Sequence, residues 1–398
     1  MLDMLIAGGS VVSPAGVVQL DVGIKDGRIA SLAGSAREGA RMVVDASGCV
    51  VLPGGIDLHT HLRTPAGESG LFRRESASAV AGGVTTLGDF AYPPGTRFEL
   101  EYEHKREQLE QESLCDFIVH TVVRSEEQLE QAATHTVKVF LASSGLGVQT
   151  GGGLELVCRG AAQGHLVLAH VEAMSDYVAI ANYVARNPDL PGRVHILHVP
   201  HQRYSMAVAS LADGRVTMET CPHYLLWEWS LNQVDCDVNP AVVPADLWPE
   251  IRAGRISTIG TDHCSYTRAE KAEFGLPGFP GVGASLRLLF TAGVKAGRIS
   301  WAELCGLLSA GPARVLGLYP RKGAIQVGSD ADLVLFDPQH QALLGAPRYG
   351  RGDFSPFSSL KVWGKVVGTW VRGRQVYGDG VMDEGAAGWG TWQEAIEV

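Results

Sequence analysis

The chain has 398 residues, of which 45% are hydrophobic and 19% charged, the balance of a large, well-packed soluble protein. Its formal net charge of -10 argues against nucleic acid or an anionic membrane surface as a partner, and no long uninterrupted apolar span suits a membrane-crossing helix. Seven cysteines, an odd number without CxxC spacing, point to reduced thiols in a cytoplasm-like compartment and away from cysteine chemistry.

The opening Met1-Leu2-Asp3-Met4-Leu5-Ile6 lacks a basic n-region and reads as a strand, not a signal peptide. Short apolar runs follow at Asp21 to Ile24, Ile29 to Leu32 and Met42 to Val44, with Asp26-Gly27 as a hairpin turn. Residues 1–52 therefore predict a small β module. Similar strand-like runs recur near the other end, at Ala331 to Phe336, Lys361 to Val367 and Thr369 to Tyr377. The two β segments, 1–52 and 322–398, are expected to pair into one composite sandwich; two separate flaps are the alternative.

Between them, in 53–321, β-rich stretches alternate with helical ones. The expected strands are Gly55 to His61, Gly83 to Phe90, Asp116 to Val122, Thr136 to Ser143, His165 to Val171, Arg193 to Val199, Arg215 to Thr220 and Arg255 to Asp262. The clearest helices are Glu99 to Glu112 and Met174 to Arg186. Such strand–helix units predict an α/β fold, a (β/α)8 TIM-like barrel whose site lies at the C-terminal strand ends. An open doubly wound sheet is the alternative, but no glycine-rich phosphate loop opens an early helix.

Ligand-type residues gather at those strand ends. His59 and His61 stand at i and i+2 on one strand face, where both imidazoles can converge on a metal. Alone, such a pair equally suits a solvated face. His170, His198 and Asp262 close later strands, and this donor set suits a borderline-soft divalent ion such as zinc. Lys138 stands among apolar neighbours, where an ammonium would be an expensive buried charge. Reaction with carbon dioxide would convert it to an anionic carbamate bridging two metals; snorkelling to the rim is the alternative. Asp262 reads as a helix N-cap or as a ligand that also shuttles a proton, and its company favours the second. His165 and His195 begin strands and are assigned structural roles, whereas His223 and His263 follow strand ends and are candidates to touch substrate.

Gly55-Ile56-Asp57-Leu58-His59-Thr60-His61-Leu62-Arg63, Val137-Lys138-Val139-Phe140, Glu219-Thr220-Cys221-Pro222-His223-Tyr224-Leu225 and Gly260-Thr261-Asp262-His263-Cys264-Ser265 together carry a resemblance that covers nearly the whole chain. It resembles the amidohydrolase superfamily, in the cyclic-amidase branch of dihydroorotases, allantoinases, hydantoinases and dihydropyrimidinases. The resemblance implies two divalent metals, zinc by preference: His59, His61 and Asp262 on the first, His170 and His198 on the second, and carboxylated Lys138 bridging both. It implies that a metal-bridging hydroxide attacks a ring amide carbonyl, with Asp262 carrying the proton to the leaving nitrogen. It also implies a small cyclic amide as substrate and a homo-oligomer, a dimer or tetramer.

Substrate contacts are expected from Arg63, Tyr92, Ser143, His223, Asn239 and Tyr266. Arg63 follows the histidine pair as in dihydroorotases, where that arginine grips a substrate carboxylate. Tyr92 and Tyr266 stand where dihydroorotases carry an asparagine and a histidine. Asp262-His263-Cys264-Ser265-Tyr266 looks more like hydantoinases, yet Ser143 or Ser144 replaces their oxyanion tyrosine. The leading expectation is a hydantoinase- or dihydropyrimidinase-like hydrolase. Dihydroorotase or allantoinase activity is the alternative, and a non-catalytic dihydroorotase-like subunit is the reading from another class.

Overall fold

The computed structural model describes residues 1–13, 16–34, 39–64, 68–96, 99–132, 134–141, 152–211, 214–233 and 235–396. Its centre is a nine-stranded parallel sheet that begins with Gly55–His61, Val84–Ala91, Asp116–Val122 and Thr136–Phe140, each hydrogen-bonded to the next. Leu166–His170, Arg193–Ile196, Val216–Thr220 and Thr258–Ile259 continue it, and His263–Cys264 pairs with the opposite edge, on Gly55–His61. Every residue of Val84–Ala91, Thr136–Phe140 and Leu166–His170 is buried, as expected of parallel strands covered on both faces. Gly88 is required by close approach: a Cβ there would stand 2.6 Å from the Leu58 carbonyl oxygen and 2.7 Å from His120 Nε2.

The eighth expected strand differs. Arg255 to Asp262 is not one strand; Thr258–Ile259 and His263–Cys264 are separate pieces on the two edges of the curled sheet. Gly260, Thr261 and Asp262 lie between them, and Asp262 takes a positive φ of 52°. The break has a physical source in Asp57, whose carboxylate accepts from Thr261 N at 3.2 Å and from Thr261 Oγ1 at 2.5 Å, drawing that backbone inward. The fourth strand ends at Phe140, and the expected extension to Ser143 falls outside the described residues. The first expected helix starts at Tyr102 instead of Glu99, whereas Met174–Arg186 forms as read.

Strands from both ends of the chain meet in a seven-stranded sheet, where Val50–Pro53 pairs antiparallel with Leu333–Phe336. Lys361–Val371 is one continuous strand where a break was expected at Gly368. The Asp26-Gly27 turn adopts φ values of 50° and 75°, the double left-handed conformation of a tight hairpin. Met4, Ile6, Val22, Leu333, Leu335 and Trp370 share one apolar cluster that draws on both chain ends. All seven cysteines are free thiols, and no described helix is long and apolar enough to cross a membrane.

Candidate metal centre

The C-terminal ends of five strands converge on one pocket, lined by His59, His61, Lys138, His170, His198 and Asp262 together with Arg63 and Asn239. His59 and His61 leave the first strand on one face, as strand alternation requires. Asp262 Oδ1 lies 3.2 Å from His59 Nε2 and 2.9 Å from His61 Nε2, so these three side chains present a compact donor set within 4.8 Å. A second pair stands beside it, with His198 Nε2 2.8 Å from His170 Nδ1. His198 and Asp262 both hold positive φ, 41° and 52°, conformations that cost free energy and collect at functional sites.

Each of three histidines has its remote nitrogen engaged. His59 Nδ1 lies 2.7 Å from Glu219 Oε1, His61 Nδ1 lies 2.9 Å from the Tyr92 hydroxyl, and His170 Nε2 lies 2.9 Å from Glu172 Oε1. These partners fix ring orientation and direct the opposite nitrogen into the pocket. Tyr92 also flanks Arg63, whose guanidinium carbon sits 4.6 Å from the Tyr92 ring centroid. Arg63 Nε donates to the Tyr266 hydroxyl at 2.9 Å. The structure thus places Tyr92 and Tyr266 around Arg63, and Asn239 donates to Glu172 Oε1 at 2.9 Å while lining the pocket.

His223 is buried beside the rings of Tyr224 and Phe279 but does not line the pocket. His263 points elsewhere too, with Nε2 2.9 Å from Glu75 Oε2 and Nδ1 accepting from Gly281 N at 3.0 Å. His195 sits nearer the cluster than its place at a strand start implied, 3.8 Å from Glu219 Oε2 and hydrogen-bonded to Thr217. Ser143 and Ser144 lie outside the described residues. Glu219, Glu172 and Asp57 were not singled out from the sequence. Glu219 carried a usable signal, since an acid in the apolar strand Val216–Thr220 needs a buried partner.

Burial opposes every charge here. It pushes His59, His61 and His198 well below the ordinary histidine value, and neighbouring cations add to the effect. Burial raises the Asp262 and Glu219 carboxyls, Glu219 to about 8, although Lys138 opposes both shifts. It lowers the Lys138 ammonium, against the pull of Asp262 and Glu219. His59 Nε2 and His198 Nδ1 are buried with no hydrogen-bond partner among the described residues. Neutral imidazoles with free lone pairs, converging beside a carboxylate, fit a divalent metal.

A model of the amidohydrolase family matches residues 196–376. The D-hydantoinase of Streptomyces coelicolor is 30% identical, over 94% of this chain and 94% of its own length. The D-hydantoinase of Geobacillus stearothermophilus is 29% identical over 94% and 93%. Among solved structures, the dihydropyrimidinase of Brevibacillus agri superposes with a TM-score of 0.85 at 25% identity, covering 99% of each chain. The L-hydantoinase of Arthrobacter aurescens gives 0.83 at 26%, covering 98% of this chain and 99% of its own.

Proposed function

Because the chain belongs to the amidohydrolase family, in its cyclic-amidase branch, we propose that it hydrolyses a ring carbon–nitrogen bond of a cyclic amide or imide, as hydantoinases and dihydropyrimidinases do. The observation that carries this reading is the single pocket lined by four histidines, Lys138 and Asp262. In our assignment His59, His61 and Asp262 would hold one divalent ion and His170 and His198 a second, and Lys138, once converted to its carbamate, would serve as a ligand to both. Zinc suits the nitrogen-rich donor set. Bound there, such ions supply Lewis acidity and make water a nucleophile near neutral pH.

The chain's own residues do the rest. Asp262 stands against both His59 and His61, and burial raises its proton affinity toward the neutral range. That makes it the group to take the nucleophile's proton and deliver it to the leaving nitrogen. Glu219, Tyr92 and Glu172 hold three imidazoles in register, so the site needs little reorganisation when substrate enters. Arg63, buried at the pocket and held by Tyr266, offers a fixed cation to an acidic ring substituent. We keep Asn239 and Ser143 as proposed substrate contacts; His223, packed against Tyr224 and Phe279 away from the pocket lining, is not kept.

We also propose a closed (β/α)8 barrel over 53–321, with 1–52 and 322–398 forming one composite sandwich. Supporting this are the sheet edges separated only by Gly260, Thr261 and Asp262, and the Val50–Pro53 pairing with Leu333–Phe336. A homodimer or homotetramer in the cytoplasm completes the proposal, the free thiols agreeing with a reducing compartment.

The test is a substrate screen with zinc supplied: hydantoin, dihydrouracil, allantoin, dihydroorotate and simple cyclic imides. Preference for hydantoin or dihydrouracil supports the leading reading. Preference for dihydroorotate supports the second reading, which Arg63 favours. Bound metal without turnover on any ring would move the chain to the non-catalytic class.

A further inference from the structure

Away from the metal centre lies a cavity of about 280 Å³, walled by the 280–287 segment and the C-terminal strands, and sharing no lining residue with the histidine pocket. Arg287, Arg348 and Lys365 line it, with His340 at its exposed edge, and among the described residues no aspartate or glutamate does. In a chain of net charge -10, a concave surface whose charged lining residues, among those described, are all cationic is a departure from the average surface. Among the described residues none of Arg287, Arg348 and Lys365 forms an ion pair.

Arg287 is the informative member. Its Nε donates to the Gly364 carbonyl at 2.8 Å, which anchors the guanidinium, while Nη2 is buried with no hydrogen-bond partner among the described residues. A buried donor left unmatched is costly, so such a group calls for a water or an ion. Burial lowers the Arg287 pKa, but an arginine keeps its charge across the physiological range. Burial raises the Tyr377 phenol at the same wall; Tyr349 and Asp379 act in the same sense and Arg348 and Arg287 against them, so the hydroxyl stays a neutral donor. Tyr349 is tied by its hydroxyl to the Gly380 carbonyl at 2.8 Å, and Arg348 lies 5.5 Å over its ring.

We infer that this cavity binds a small oxyanion, with Arg287 and Arg348 gripping a carboxylate or phosphate group and Tyr377 donating to it. Arginine forks match both groups geometrically. The volume lies just below the range of ordinary ligand pockets, which run from about 300 Å³ upward. It therefore suits a compact acid or phosphate ester and not a nucleotide.

The experiment is calorimetric titration of the metal-loaded full chain with inorganic phosphate and, separately, with citrate, at ionic strength held constant with chloride. The expected result is saturable one-to-one binding of at least one anion, weakened at least tenfold by Arg287→Met or Arg348→Gln, with ring-opening turnover unchanged. Arg348 is exposed, so its variant keeps the test alive if Arg287→Met fails to fold. Binding of phosphate alone identifies a phosphate source; binding of citrate alone identifies a carboxylate source. No saturable binding of either, or binding equal in the variants and abolished by chelation, overturns the inference.

Discussion

Glu219 Oε1 lies 2.7 Å from His59 Nδ1, and both side chains are completely buried. Burial favours the protonated Glu219 carboxyl, but a cation held at His59 Nε2 would favour its ionised form; Nδ1–H then donates to the carboxylate and Nε2 keeps its lone pair facing Asp262. Glu219→Gln keeps the volume and loses the charge. We expect metal affinity to fall about tenfold or more, the low end of what loss of such an outer partner costs. Equilibrium dialysis against a graded chelator measures this, and unchanged retention would show that Glu219 does not orient a ligand.

Tyr92 has two neighbours at the site, His61 Nδ1 and the Arg63 guanidinium. Tyr92→Phe removes only the hydroxyl and retains the ring beneath Arg63. The expected outcome is a loss of about 1 kcal/mol in stability and a kcat reduced roughly tenfold at similar KM, because a ligand ring is freed while substrate contacts remain. Steady-state kinetics on the best ring substrate separates this from a KM effect, which would instead assign Tyr92 to substrate binding.

Arg63→Gln distinguishes the two enzymatic readings. Charged hydrogen bonds contribute about 1.5–3 kcal/mol, so kcat/KM for a carboxylate-bearing ring should fall roughly ten- to a hundredfold, while a neutral ring changes little. Equal losses on both classes would mean that Arg63 supports the site through Tyr266 and Tyr92 and selects no substituent.

How much of this was legible in the sequence follows from what each residue must satisfy. The histidine pair at 59 and 61 was legible because strand alternation fixes its face from spacing alone. His170, His198 and Lys138 were legible as polar residues ending or interrupting apolar strands, and the structure brings all of them to one pocket. The eighth strand was not: its alternation reads as continuous, and the break at Thr261 comes from Asp57, two hundred residues away in the chain. Glu219 could be suspected of needing a buried partner, but that the partner is His59, 160 residues away, leaves no local pattern; Glu172, two residues beyond His170, was overlooked although its spacing is local. Ser143 was named from the resemblance and lies outside the described residues.

Three buried histidines outside the proposed ligand set add to the acid sensitivity that His59, His61 and His198 confer. Burial is the leading cause that lowers His120, His195 and His223 from 6.5 to about 3. Between about pH 3 and 6.5 the unfolded chain binds protons that the folded chain refuses, so stability falls as pH drops below 6.5. Each contributes up to roughly 1.4 kcal/mol per pH unit within that window. His223 has no hydrogen-bond partner on either nitrogen among the described residues, so His223→Leu should lessen the slope by about one proton without a large loss at pH 7. Urea unfolding of chelator-stripped protein at pH 5.5 and 7 tests it; an unaltered slope would mean that His223 is already protonated or solvated.

The most direct test of the central claim is the rate of hydantoin and dihydrouracil ring opening, followed by loss of amide absorbance. It compares chelator-stripped protein, the same protein with zinc and bicarbonate restored, and a similarly restored Lys138→Ala variant. The account predicts no turnover in the stripped protein, turnover on restoration, and none in the variant, which should also retain less metal per chain. Turnover that survives stripping, or a Lys138→Ala variant with full activity and full metal content, would contradict it.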